Sequence, residues 1–358
     1  MQTNVLIVGG GPAGATCAYL LKKAGVDCLL IDQATFPRDK ICGGGLTSKT
    51  WHLLEQLMPG FEYEYNPVTL VRLDVDGRVN CQFTLDEPIR IVQRKVFDNA
   101  LLQQYIAIGG AFLKASLHQI EEQADGTIVA ILKSGERIEC QYVVGADGSN
   151  SRVRRSLKPD TDRGILAMER YVDKSFKYQM ATKSPLSDGV GETSLSTSID
   201  VRLSESYAQG GYFYRFPAKE FDVIGFGDYT TTPEKFRRIM QEEGVPEGQE
   251  RGAYIYLSND YPLHPRIILI GDAGGFANRI TCEGLHRAII TAQNAATAII
   301  EGRPFRETNV AMFRKVRNEA RFSKYFYSSL GFAIIRWLCR HPGLMKKIFD
   351  RKMKKTMG

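Results

Sequence analysis

Cysteine is scarce in this chain and scattered along it. Cys17, Cys28, Cys42, Cys81, Cys140, Cys282 and Cys339 are the only seven in 358 residues, and no C-x-x-C or Cys/His cluster occurs. The odd number and the spacing exclude a disulfide framework and a structural zinc, and they predict a reduced, cytoplasmic protein with no metal site. Long apolar runs are also missing. No window approaches the about 18 uninterrupted apolar residues of a spanning helix. The opening residues, MQTNVLIV, lack a basic start, and their apolar run stops at Gly9, which is not the pattern of a signal peptide. Internal repeats and low-complexity segments are absent. With 43% apolar and 24% charged residues, collagen, coiled coil and disorder are excluded. The length suits two domains, or one domain carrying an insertion.

Charge is unevenly placed. Residues 301–358 hold 15 Lys and Arg against 4 Asp and Glu, a net of +11, whereas the whole chain carries only +7. The body is therefore mildly acidic and the last sixth strongly basic, which implies an anionic partner for that end. No nucleic-acid recognition motif accompanies the charge, so nucleic acid is not expected. An anionic membrane surface is the alternative partner.

The chain opens with a β-branched run, Asn4–Val8, followed by GGGPAG and a helical stretch to Ala24 that stops at Gly25. A second buried strand, Cys28–Ile31, closes with Asp32. Gly9-x-Gly11-x-x-Gly14 thus sits between a strand and a helix, where glycines permit a tight turn, close approach to a pyrophosphate and close packing. Free N–H groups at the helix start, around Pro12 and Ala13, then hold phosphate. Asp32 is placed to accept ribose hydroxyls. This arrangement predicts dinucleotide binding. Further on, residues 68–92 read as a hairpin turning at Asp76-Gly77, and Arg94–Gly110 as a helix. Residues 165–261 alternate aromatic and polar residues without long helical periods, and 284–300 form a long Ala/Ile-rich helix.

Two further strand-to-turn segments, Val143–Ser149 (VVGADGS) and Leu269–Gly274 (LIGDAG), can each bring a carboxylate and backbone donors to the same ligand. The set of three resembles the flavoproteins of the p-hydroxybenzoate hydroxylase fold. That resemblance implies FAD, with Asp272 on the ribityl chain, Asp147 shaping the loop near the pyrophosphate, and Arg94, in VQRKVFDNALL, close to the cofactor. Gln33, Arg38 and Gly271 belong to the same expected contacts.

Within that fold the chain more closely resembles the geranylgeranyl reductase family, over roughly residues 3–300. Lys40-x-Cys42-Gly43-Gly44-Gly45-Leu46 is similar to the family's loop beside the isoalloxazine. Tyr212–Pro217 (YFYRFP) is similar to its Y-x-W-x-F-P cavity segment, with Tyr214 in place of Trp. GDAGGF followed by Thr281-Cys282-Glu283-Gly284 matches its flavin-facing turn, with Cys282 where Gly is frequent. The resemblance implies an α/β fold: a Rossmann-type FAD-binding domain (1–66, 89–164 and 262–303), an inserted sheet-rich substrate domain (67–88 and 165–261), and a basic helical tail (304–358).

The expected site follows from these segments. Gly43, Gly44, Gly284 and Leu285 would contact FAD, with the helix start at Gly284 facing the flavin's N1/O2 edge. Gly45, Tyr212, Tyr214, Phe216 and Pro217 would line the substrate cavity. Cys42, His286 and Tyr212 are the candidate proton donors, each with a plainer reading as a packed or satisfied side chain. In the tail, Phe322, Phe326, Leu330, Ile334 and Trp337 fall at helical spacing as one apolar stripe. It either caps the flavin domain or lies in a membrane interface at the cytoplasmic face.

The implied activity is reduction of C=C bonds in a prenyl (geranylgeranyl-type) lipid by hydride from reduced flavin N5. NAD(P)H or another donor must supply the electrons, because the one dinucleotide motif is used by FAD. A flavin monooxygenase, or a non-catalytic prenyl-binding carrier, are the rival readings on the same fold. A halogenase is disfavoured by the absence of a W-x-W-x-I-P segment.

Overall fold

The computed structural model describes residues 1–158, 164–174, 198–207 and 210–354. Residues 159–163, 175–197, 208–209 and 355–358, which include parts of the expected substrate domain and tail, lie outside the described residues. The described part is an α/β protein with a Rossmann-type sheet, a second large sheet and C-terminal helices. None of its described helices is long and apolar enough to cross a membrane.

The first apolar run becomes the strand Gln2–Val8. It is paired in parallel with Cys28–Asp32 on one side and Arg137–Gly145 on the other. The far edge of Arg137–Gly145 is shared. Its first half runs antiparallel to Ile128–Leu132, and its second half runs parallel to Ile267–Leu269. Register decides where the motifs go. Val8 lies opposite both Ile31 and Gly145, and Gly145 lies opposite Leu269. Gly9, Asp32, Ala146-Asp147 and Gly271-Asp272 therefore leave the sheet at one level, at the carboxyl ends of parallel strands, where open α/β sheets bind ligands.

Glycine makes that convergence sterically possible. Gly9 has φ +108°, and a Cβ there would meet the Ala146 carbonyl oxygen at 2.4 Å. A Cβ on Gly14 would stand 1.8 Å from the Gly9 carbonyl oxygen. The helix Pro12–Lys23 thus rests directly on the turn that precedes it.

Among the described residues the second sheet has eight strands, and in it Ser198–Leu203 and Asn66–Val75 pair in parallel while the other neighbours are antiparallel. The expected hairpin turn at Asp76-Gly77 is present, with φ of +58° and +64°, the left-handed pair that matches strand twist. Side chains alternate with period two. Phe213, Ile224, Phe226 and Met168 pack beneath Phe236, Ile239 and Met240, whereas Tyr212, Tyr214 and Phe216 look into the cavity on the other face.

The sheet-rich 165–261 region also carries the helix Pro233–Glu242, started by Thr232, whose hydroxyl accepts the Lys235 N–H at 3.2 Å, with Pro233 at its first position. Its apolar residues fall three and one apart on a single side, too short a run for a long helical period. One expectation is corrected: the tail stripe is not one face of one helix. The helix Val310–Phe326 ends at Tyr327, and Ser328 caps a new one, Ser329–Cys339, by accepting the Gly331 N–H. Nor does the tail cap the flavin domain alone. Phe305, Met312 and Val316 pack on that domain, but Phe332, Ile335, Cys339 and Met345 cover Val71, Leu73, Ile199 and Leu203 of the second sheet. Ion pairs of Arg336 with Asp76 and Glu205, and of Lys346 with Asp86, pin it there.

The close approach at Gly14 yields a direct expectation. Gly14→Ala forces helix and turn apart and lowers unfolding stability by about 3 kcal/mol, read as a drop in the urea midpoint at constant slope. An unchanged midpoint would show that the turn relaxes freely.

Candidate functional site

One cavity of about 1150 Å³ runs from the strand ends of the first sheet, across the face of the second, to the tail helices. Gly9, Gly11, Pro12, Ala13, Asp32, Gln33 and Arg38 line its first part. Gly11 is the N-cap of the first helix and offers no side-chain cap, so the N–H groups of that helix start are open to a ligand. Asp32 is held in place by the N–H groups of Gly10 (2.7 Å) and Ala34 (2.8 Å), one on each oxygen, and each oxygen keeps a lone pair for a hydroxyl. Gly14 and Gly271 do not line the cavity; they shape its backbone.

Asp147 is occupied by the protein itself. Its oxygens accept the Ser151 hydroxyl (2.6 Å) and the N–H groups of Arg152 (2.6 Å) and Val153 (3.3 Å). Burial raises its pKa and these bonds oppose the rise. The residue therefore builds the turn into the helix Arg152–Leu157 at the cavity edge. Arg94 donates two hydrogen bonds to Asp98, at 2.7 and 2.8 Å, and Arg38 reaches the same carboxylate at 3.3 Å. Burial disfavours the Arg94 charge, yet the fully buried Asp98 overrides it and raises the pKa, and the Cys42 thiol lies against the same guanidinium. Asp98 was not foreseen as the organiser of both arginines. The i, i+4 spacing from Arg94 was the available signal.

The glycine loop separates the two halves of the cavity. Gly44 has φ +75°, a Cβ on it would lie 2.0 Å from the Val92 carbonyl, and its own carbonyl accepts the Val92 N–H at 2.9 Å. Side chains on Gly43 or Gly45 would strike the Phe216 ring at 2.9 and 3.0 Å. The loop is thus a flat backbone shelf stacked on an aromatic ring. Across from it, Gly284 starts the helix Leu285–Ile300 with no side-chain cap, and Asp272, Gly284 and Leu285 all face the cavity. The cradle fits FAD. One open helix start stands beside Asp32 for the pyrophosphate and ribose, and a second stands beside the shelf, where its positive end favours an anionic flavin ring.

The proton-donor candidates separate sharply. Cys42 lines the cavity and its sulfur accepts the Gly44 N–H at 3.4 Å. Tyr212 lines it too, but its hydroxyl donates to the Thr281 carbonyl, and burial raises its pKa well above the usual value. His286 does not reach the cavity. It is buried with neither ring nitrogen hydrogen-bonded. Burial pulls its pKa down to about 3, with Glu283 opposing and Lys49, Lys315 and Arg287 assisting. Its expected role as a proton donor is corrected accordingly: it stays neutral behind the site. Pro217 also lies outside the lining, because it ends its strand past Phe216.

A carboxyl that the sequence reading missed takes its place on the cavity wall. Glu169 is buried on the strand Ile165–Asp173 and accepts the hydroxyls of Tyr214 (2.6 Å) and Tyr171 (3.3 Å). Burial raises its pKa; the two tyrosines, the Cys42 backbone and Lys40 oppose this less strongly. Ile165, Ala167 and Glu169 share the inward face by alternation. An acid in the middle of an inward-facing row was the signal. By contrast Glu283, which accepts Thr47 and Lys49 at 2.7 Å each, is held below the usual carboxylate range against its burial, mainly by Lys49.

Residues 2–167 match the FAD binding domain family. Among curated proteins the chain is 28% identical to an uncharacterized protein of Methanosarcina barkeri, over 83% of this chain and 74% of that one. It is 26% identical to a menaquinone reductase of Mycobacterium tuberculosis (82% and 76%) and 24% identical to a geranylgeranyl diphosphate reductase of Rhodobacter capsulatus (100% and 93%). Of solved structures, a geranylgeranyl bacteriochlorophyll reductase-like protein from Thermoplasma acidophilum shares the fold at TM-score 0.69 and 20% identity, covering 99% of this chain and 92% of that one. A flavin-dependent brominase does so at TM-score 0.72 and 17% identity (99% and 93%).

The buried, neutral His286 makes stability depend on pH. Its folded pKa lies below the unfolded value of about 6.5, so unfolding takes up a proton between the two. The contribution is complete above about pH 6.5 and is lost as pH falls toward 3. The stability difference between wild type and His286→Asn should therefore shrink steadily from pH 7 to pH 5 in urea titrations. A difference constant over that range would show that His286 titrates normally.

Proposed function

We propose that this chain, which carries an FAD binding domain over residues 2–167 and is similar to geranylgeranyl diphosphate reductases, is an FAD-dependent oxidoreductase that reduces C=C bonds in the prenyl chain of a lipid. The shape of the cavity beyond the glycine shelf carries this reading. Val71, Leu73, Ile199, Val201 and Leu203 line one side of it, and Ile335, Leu338, Ile348 and Phe349 of the tail line the other. It is a long aliphatic slot that opens on the FAD cradle, and it suits a flexible hydrocarbon better than a compact polar substrate. The names of the menaquinone and geranylgeranyl diphosphate reductases among its relatives agree with a prenylated substrate.

Reduced FAD, when bound, supplies the hydride. The protein supplies the rest. Gly43 and Gly45 let the Phe216 ring lie against the shelf, Tyr212, Tyr214 and Phe216 form an aromatic wall beside which the alkene lies, and the aliphatic slot excludes water. Glu169 provides the proton for the second alkene carbon, since burial raises its pKa and so favours the protonated form. Cys42 closes the same wall beside Arg94. In this reading 1–66, 89–164 and 262–303 hold the cofactor, while 67–88 and 165–261 hold the chain.

Anaerobic turnover tests the reaction. Enzyme reduced with dithionite is mixed with a geranylgeranyl lipid, and flavin reoxidation together with a product heavier by two hydrogens is the expected result. Flavin that stays reduced with prenyl substrates, while air-exposed enzyme inserts oxygen into a ligand, would replace the reductase by a monooxygenase. A purified chain that binds prenyl lipid but no flavin would make it a carrier. Glu169→Gln, which keeps the shape and removes the acid, should lower turnover about 100-fold with FAD affinity unchanged. Because the neutral form is the active one, wild-type turnover should fall as pH rises through the raised pKa of Glu169.

A further inference from the structure

Resting on the prenyl-lipid reading, we propose that the helices spanning residues 310–354 dock on an anionic lipid bilayer and admit the substrate chain to the cavity from its acyl layer. The apolar surface is concentrated there. Tyr325 and Leu330 are each 70% exposed, Phe322, Ile334 and Trp337 each 51%, and Leu344 follows at 41%. These six fall within 23 residues. Four of them, Phe322, Tyr325, Leu330 and Ile334, also line the end of the cavity, so the exposed patch and the aliphatic slot are one continuous apolar surface. A mouth of this composition left in water would be costly. Against acyl chains it is not.

Charge identifies what covers it. Arg321, Lys324, Arg340, Lys347, Arg351 and Lys352 are exposed and have no ion-pair partner among the described residues. The two acids of this stretch are both consumed inside the protein, Glu319 by Arg287 and Asp350 by Lys346. The surface thus offers free cations around exposed aromatic and aliphatic side chains and no free anion, which is the chemistry of a helix lying in the interface of an anionic leaflet. With no described helix long enough to span, the docking is peripheral.

Flotation with vesicles tests this on the full holoenzyme. Binding to phosphatidylcholine vesicles containing phosphatidylglycerol, with little binding to phosphatidylcholine alone and release by high salt, is the expected result. Arg340→Gln and Lys347→Gln should each weaken binding about fivefold. Trp337→Ser with Leu344→Ser, exposed residues away from the cavity wall, should abolish it. Those same variants should retain wild-type turnover on detergent-dispersed lipid and lose it on lipid presented in vesicles, which separates docking from chemistry. Equal failure to bind either vesicle type would overturn the proposal, as would self-association through the patch in the absence of lipid. If the chain reduces no alkene but still binds acidic vesicles, the docking stands and the reductase reading falls.

Discussion

The architecture of the site depends on how closely three stretches of backbone approach one another beside Gly9. The Gly9 turn packs on Ala146, and the first helix packs on the Gly9 carbonyl through Gly14. Neither approach tolerates a side chain. Because the parallel strands end level with one another, this contact draws Asp32, Asp147 and Asp272 to one edge, although they are far apart in sequence. The second sheet is then tied to that edge by Gly44, whose carbonyl holds Val92, and by Gly45-Leu46, which pair with Ile91 and Arg90. Cofactor cradle and aliphatic slot meet at this loop because glycine alone permits it.

Buried charge is managed by assigning each group a fixed partner. Asp98 serves Arg94 and Arg38, and Glu283 serves Lys49 and Thr47. Glu169 differs, since among the described residues its side-chain partners are two tyrosine hydroxyls and no cation pairs with it. The consequence is opposite pKa directions for two carboxyls on one cavity, Glu283 lowered and Glu169 raised. On the proposed reading the raised one, Glu169, is the proton donor.

Much of this was legible in the sequence because it is local. The strand–glycine–helix unit, the two strand-to-Asp turns and the Asp76-Gly77 hairpin are short-range patterns, and the cofactor loops follow from them. What escaped was set by tertiary placement. His286 follows the cavity-lining Gly284 by two residues in sequence, but helical rotation turns it into the protein. Glu169 shows no motif, and only the alternation of its strand together with the hydrogen bond from Tyr214 reveals its position. The tail read as one helix because its apolar spacing is continuous across Tyr327-Ser328. A serine cap breaks it, and the residues that pack inward, Phe332, Ile335 and Cys339, are offset from the stripe.

The central claim is that a prenyl chain lies in the aliphatic slot with an alkene between the glycine shelf and Glu169. A crystal structure of the FAD-bound protein with a geranylgeranyl lipid tests it most directly. The account predicts a chain running along Val71, Leu73, Ile199 and Val201, with an alkene carbon within about 3.5 Å of the Glu169 carboxyl. A lipid held elsewhere, with water filling the slot beside Glu169, would contradict it.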